Sequence, residues 1–361
     1  MTTATLTPWW AWAWPVVAWL VLPIVTLAGD SGIVGVIGGA ALVATVFAAV
    51  YHAEVVAHRI GEPFGTLVLA VAVTVIEVAL IVSIMLGFAA DKAGLARDTV
   101  FAAVMIVLNG IVGLCLLAGG VRHHEQGFQL QGASAALAVL AALTVLTLVV
   151  PNFTTSEPGP AFSRSQLVFA GVVSLVLYAS FVFVQTVRHR DYFLPLQEGG
   201  EENHAPPPSN RVALISAALL AVALIAIVAL AKALTPTLER IVAWLGAPKA
   251  VVGIAIALLV LLPEGLAALR AASGANRLQT SLNLALGSAL ASIGLTIPAV
   301  AVVSIVLDQP LYLGLSLKDM VLLALTLLVG VITLGTGRTT VLQGIVHLVI
   351  FATFLFLAVV P

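Results

Sequence analysis

The chain has 361 residues, 61% of them hydrophobic and only 9% charged, with a formal net charge of −1. A soluble domain is about a quarter charged, so a chain with a mean hydropathy of +1.17 has too little polar surface to face water and needs lipid as its main solvent. The near-neutral balance excludes a nucleic-acid footprint and a polybasic lipid-binding patch. A single cysteine, Cys115, excludes an intramolecular disulfide, and no Cys/His pattern of zinc type is present.

A helix that crosses a bilayer needs about 20 apolar residues. Runs of that kind predict an all-α integral membrane protein of about eleven transmembrane helices, near 10–28, 33–52, 64–88, 98–120, 130–150, 164–187, 211–232, 249–270, 278–305, 318–335 and 340–360. The short alternating segments of a transmembrane barrel are missing. The first run carries Trp9, Trp10, Trp12, Trp14 and Trp19; indoles favour the membrane–water boundary, so it reads as an interfacial anchor leading into a spanning helix. No Lys or Arg precedes it and no small-residue cleavage site follows, which speaks against a secretory signal.

Between the sixth and seventh runs lies RHRDYFLPLQEGGEENHAPPPSNR, residues 188–211, an acidic and proline-rich linker. It divides the chain into an extra N-terminal helix (1–30), a first set of five helices (31–187) and a second set of five (212–361). With an odd number per set, the second enters the membrane from the opposite side, so two inverted five-helix repeats are expected. The linker side holds Arg59, Arg122, Arg188, Arg190, Arg211, Arg270, Arg277 and Arg338; the other holds Lys92, Arg97, Arg164, Lys232, Arg240, Lys249 and Lys318. By the positive-inside rule this small excess sets the linker on the cytoplasmic side. Its Glu198, Glu201 and Glu202 read either as a solvated loop or as a regulatory element that binds a cation or a basic surface.

Most of the sixteen Asp and Glu residues lie at helix ends or in loops, but Glu77 and Glu264 do not. Glu77 sits within LVLAVAVTVIEVALIVSIML and Glu264 follows AVVGIAIALLVLLP, each in the second helix of its half. A charge at the bilayer centre costs roughly 2.5–3.5 kcal/mol on insertion scales, so such residues face a bundle interior or a wet cavity. Thr74 shares a helical face with Glu77. Pro263 has no N–H and is expected to break its helix near Leu259 and Val260, leaving carbonyl oxygens beside Glu264.

In the next helix, Ser281, Ser288 and Ser292 form one polar stripe, and Asn283, Gly287 and Gly294 an adjacent one. Asn109, Gly113 and Gly120 repeat the second spacing in the first half, with Gly110 beside Asn109. Such residues either let helices approach closely or line an ion site with oxygen ligands. Glu62, in Gly61-Glu62-Pro63, suits the positive end of a helix dipole and serves as a cap or on an ion path. Six histidines, His52, His58, His123, His124, His189 and His204, fall in or beside predicted loops and are expected to be solvated. His347 stands in the last helix, where a hydrogen-bonded packing role is expected.

The runs HRIGEPFGTLVLAVAVTVIEVALIVS and LLPEGLAALRAASGANRLQTSLNLALGSALASIGLTIPAV resemble the two alpha repeats of the calcium/cation antiporter superfamily. Within it the chain resembles the bacterial Cha-type sodium-potassium/proton and calcium/proton antiporters, relatives of the CAX exchangers, over nearly its whole length. The resemblance implies secondary active exchange of Ca²⁺, Na⁺ or K⁺ for H⁺ by alternating access, with no cofactor and no enzymatic activity. It matches Glu62 and Glu77 to the glutamates of the first repeat, Glu264 to that of the second, and Gly287-Ser288 to its Gly-Ser pair. Where calcium exchangers carry Gly-Asn ahead of each glutamate, this chain has Val73-Thr74 and Val260-Leu261, and Ala291 replaces a glutamine. Fewer amide oxygens leave Na⁺ and K⁺ open beside Ca²⁺. Two other readings of the buried glutamates are a selectivity ring in a passive cation channel and an acid–base pair in an intramembrane enzyme.

Overall fold

Hydrocarbon offers backbone groups no partner, so each apolar run satisfies its own N–H and C=O groups as a helix. The computed structural model of the chain describes residues 8–27, 32–61, 64–86, 93–194, 207–244, 246, 248, 250–274 and 277–360. Among them run eleven long helices: α1 Trp9–Leu27, α2 Gly32–Ile60, α3 Phe64–Leu86, α4 Leu95–His123, α5 Leu130–Phe153, α6 Arg164–Arg188, α7 Asn210–Trp244, α8 Ala250–Gly274, α9 Leu278–Leu307, α10 Leu317–Leu334 and α11 Val341–Val359. A short ribbon pairs β1, Gln126–Gly127, antiparallel to β2, Arg338–Thr339. The chain is an integral multi-pass membrane protein.

Two helices overrun their apolar runs. The run of α2 was expected to end at residue 52 and that of α7 at residue 232, yet they extend to Ile60 and Trp244. Hydropathy marks where the apolar residues stop, whereas a helix stops at a residue that takes up the left-handed conformation. Gly61 at φ 77° and Gly246 at φ 64° follow the two helices directly or within two residues.

The chain forms two compact units, Met1–Gly87 with Glu202–Leu245, and Phe88–Glu201 with Gly246–Pro361. The first holds α1, α2, α3 and α7; the second holds α4–α6 and α8–α11. Packing therefore divides the chain differently from the two sets of five helices, which are a relation of chain order and direction.

Chain direction follows the inverted pattern within each unit. In the first, Arg59 Nε donates to Asn210 Oδ1 at 2.7 Å, joining the end of α2 to the start of α7. At the other end, a Cβ on Gly35 would stand 2.8 Å from Thr237 Cγ2, so α2 and α7 run antiparallel. In the second unit, the Gln129 N–H after α4 donates to Gln279 at the start of α9. Ala93, before α4, accepts from the Tyr312 N–H beyond α9. The fourth helices, α5 and α10, are opposed in the same way, because Asn152 at the end of α5 donates to Leu315 O just before α10.

The extra helix α1 is fastened by a consequence of proline chemistry. Pro15 has no N–H, so the Ala11 carbonyl four residues back lacks its helical donor. His52 of α2 supplies one, Nε2 to Ala11 O at 2.9 Å, and Trp10 packs edge-on against Tyr51 with ring centroids 5.3 Å apart. His52 is thus fully buried, not in a solvated loop, because α2 continues past it by two turns. Trp9, Trp12 and Trp19 remain exposed on α1.

Candidate functional site

In the first unit, α3 separates its faces by helical angle. Val71 and Val75 are exposed, whereas Val73, Thr74, Glu77, Leu80 and Ile81 are buried at the i, i+3, i+4, i+7 spacing of one helix face. Glu77 is 2% exposed and has Thr74 one turn before it on that face. A carboxyl group in this setting is stable when a proton or a cation balances it.

In the second unit, Glu264 is 7% exposed on α8, between buried Val260, Leu261 and Ala268. The expected break at Pro263 is absent: α8 is helical from Ala250 to Gly274. Proline removes one N–H donor without stopping a helix whose flanking turns keep their own bonds and pack against neighbours. Gly265, next to Glu264, brings α8 onto α4; a Cβ there would stand 3.1 Å from Ile111 Cδ1. Further toward the start of α8, a Cβ on Gly253 would stand 2.9 Å from the Thr99 backbone N.

Ile111 ends a widened, π-helical turn, Ile106–Ile111, which interrupts α4 and contains Asn109 and Gly110. A directed series of hydrogen bonds holds this turn. Thr326 Oγ1 donates to Met105 Sδ at 3.4 Å, which fixes Thr326 as the acceptor of Asn109 Nδ2 at 2.9 Å. The Asn109 Oδ1 is then the acceptor facing His347 Nδ1 at 3.0 Å. His347 Nε2 is left to accept from Thr333 Oγ1 at 3.2 Å. All four polar residues are buried, so the imidazole is read as the neutral Nδ1–H tautomer with both nitrogens satisfied. The hydrogen-bonded role expected of His347 is what the structure contains, and Asn109 is its partner.

The two stripes of α9 face different neighbours. Ser281 is buried and meets Cys115 of α4. Asn283 donates from Nδ2 to the Phe193 carbonyl beyond α6 and accepts from Gln279 Nε2 at 2.8 Å. Gly294 packs under Tyr178 of α6, where a Cβ would stand 2.7 Å from Tyr178 Cβ. Between them, a Cβ on Gly287 would meet no atom within 4 Å among the described residues. Ser288 is half-buried beside this opening and Ser292 is buried one turn on.

Of the residues singled out by sequence, Glu264, Asn109, Gly110, Asn283, Gly287, Ser288 and Ser292 fall in the second unit, and Glu77 and Thr74 in the first. Glu62, Glu198, Glu201 and Glu202 lie outside the described residues. Sequence reasoning missed Gln279, Thr326, Thr333 and Met105, which have no local pattern. It also missed the widened turn, which leaves no mark in residue type.

Residues 31–187 and 215–360 match the sodium/calcium exchanger protein family. The chain is 53% identical to the y4hA protein of Sinorhizobium fredii over 98% of its length and 97% of that protein's. It is 36% identical to the sodium-potassium/proton antiporter ChaA of Escherichia coli, over 92% of this chain and 89% of that one. Its fold is similar to the crystal structure of the H⁺/Ca²⁺ exchanger CAX, with a TM-score of 0.71 at 15% identity over 95% of this chain and 87% of that one. The chain is a member of the sodium/calcium exchanger family.

Proposed function

We propose that this protein is a secondary active antiporter that exchanges Ca²⁺, Na⁺ or K⁺ for H⁺ by alternating access, with Glu77 and Glu264 as the groups that bind cation and proton in turn. The observation that carries the reading is a buried carboxyl group on the second helix of each half, in a chain 36% identical to a named sodium-potassium/proton antiporter. One Ca²⁺, two monovalent cations or two protons each neutralise two carboxylates. An uncompensated pair is too costly to carry through a dehydrated state, and that cost couples cation movement to proton movement.

Ion breadth follows from the oxygen count. Ca²⁺ takes six to eight oxygens. The Asn109 and Asn283 side-chain oxygens are engaged by His347 and Gln279, so hydroxyls such as Ser288 and Ser292, carbonyls and water supply what the carboxylates do not. Such a site accepts several cations, and the chain operates in a bacterial inner membrane with the 188–211 linker in the cytoplasm. The test is cation-induced dissipation of a pH gradient in inverted vesicles. More than one of Ca²⁺, Na⁺ and K⁺ is expected to act, in mutual competition, with Mg²⁺ poorer because it surrenders water reluctantly. Conduction with no proton requirement would refute antiport, and strict dependence on Ca²⁺ would refute the breadth.

A further inference from the structure

We infer that His347 is a positioning residue for cation exchange, acting through Asn109 to hold the widened turn of α4 against the Glu264 helix. The inference rests on the exchanger reading above. It begins with an energetic oddity: four polar side chains from three helices are buried where the surroundings are apolar. Each unmet donor or acceptor there would lose its water with no return, so the group is stable only as a complete series. The series is complete and has one direction, from Thr333 through His347, Asn109 and Thr326 to Met105.

Its two attachment points on α4, Met105 and Asn109, lie just before and within the widened turn. Such a turn is a less favourable backbone state than a regular helix and persists where the surroundings determine it. Fixing Asn109 fixes the turn, and the turn ends at Ile111, the residue against which Gly265 packs. Glu264 is the residue immediately before Gly265 on α8. His347 also carries the α11 side of the contact, since a Cβ on Gly113 would stand 3.1 Å from His347 Cβ. The imidazole thus sets the place of the Glu264 backbone through two packed interfaces without touching the ion.

The decisive variants separate hydrogen bonding from bulk. In His347→Asn the amide nitrogen takes the place of Nδ1 and keeps the donor to Asn109. In His347→Gln the amide takes the place of Nε2, keeping the Thr333 contact and more of the imidazole volume but losing the donor to Asn109. Cation titrations of proton exchange in inverted vesicles, with expression measured, should show His347→Gln raising the half-saturating cation concentration about tenfold, the worth of one buried hydrogen bond, with maximal rate within about twofold. His347→Asn should restore the wild-type value. Thr326→Val, which removes the acceptor at the far side of Asn109, should reproduce the loss, and Thr326→Ser should reverse it.

A packing role alone predicts the opposite order, Gln better than Asn, because Gln is nearer to His in size. That order would overturn the inference while leaving the exchanger reading intact, as would unchanged affinity in both His347→Gln and Thr326→Val. Absence of any exchange by the wild type would instead remove the exchanger reading, and this inference with it.

Discussion

The interfaces α4–α11 and α9–α6 occupy equivalent places in the two halves, each pairing the third helix of one half with the last helix of the other. Each third helix carries Asn, Gly and Gly at the same spacing, 109, 113 and 120 in one and 283, 287 and 294 in the other. Their outcomes differ. On α4 the stripe is closed: Gly113 lies under His347 and Leu348, a Cβ on Gly120 would stand 2.8 Å from the Val341 backbone N, and Asn109 is bonded to His347. On α9 the ends are filled, by Phe193 at Asn283 and Tyr178 at Gly294, while the middle at Gly287 is open. A stripe of small residues permits close approach, and the partner helix decides whether the space becomes a seal or a passage.

The largest expected effect tests whether the halves are equivalent at their carboxyl groups. Glu77→Gln and Glu264→Gln should each abolish cation-dependent proton exchange in vesicles at near-normal expression, because glutamine fills the space but neither releases a proton nor balances a cation. Wild-type-like, pH-dependent exchange by either variant would show that one half suffices.

Next comes the glycine contrast. Gly120→Ala should destabilise the protein by about 1–3 kcal/mol, since the obstructing atom is backbone and cannot swing aside. Gly287→Ala meets nothing within 4 Å among the described residues and should fold at least as well, gaining up to about 1 kcal/mol of helix propensity. Thermal melts in detergent check both. If Gly287→Ala melts normally but exchanges poorly, the opening is part of the ion path.

The asparagines sharpen the same comparison at smaller scale. Asn109→Ala strands buried groups on His347 and Thr326 and should cost about 2–3 kcal/mol. Asn283→Ala breaks two bonds that are only part-buried, to the Phe193 carbonyl and from Gln279 Nε2, and should cost about 1 kcal/mol. Equal losses in chemical denaturation would show that the two interfaces are sealed alike.

The helices were legible in sequence because apolar runs of sufficient length have one solution in lipid. The glutamates were legible for the converse reason: Glu77 and Glu264 interrupt runs that tolerate little polarity. Long-range partnerships were not. His347 and Asn109 are 238 residues apart, and nothing near either one names the other. His52 looked solvated because its run of apolar residues ends there, but α2 continues past it and the carbonyl left without a donor by Pro15 gives it a buried partner. Pro263 suggested a break that the intact turns on either side prevent.

The smallest expected effect concerns the linker. Its described beginning is firmly attached to the second unit: the Phe193 carbonyl accepts from Asn283, its ring stacks edge-on with Phe181 at 5.8 Å, and the Tyr192 carbonyl closes over Gly132. Asn283 stands one turn before Gly287 on α9. A pull on the linker therefore reaches α9 at the turn before Gly287 through the hydrogen bond from the Asn283 side-chain amide to the Phe193 carbonyl. Replacing Glu198, Glu201 and Glu202 together by glutamine should shift the pH or Ca²⁺ dependence of activation by about fivefold at most, the range of exposed charge interactions, with maximal exchange retained. Loss of all exchange in well-expressed protein would mean that these carboxylates belong to the transport path itself, and the division between a regulatory linker and a carrier of ions would have to be abandoned.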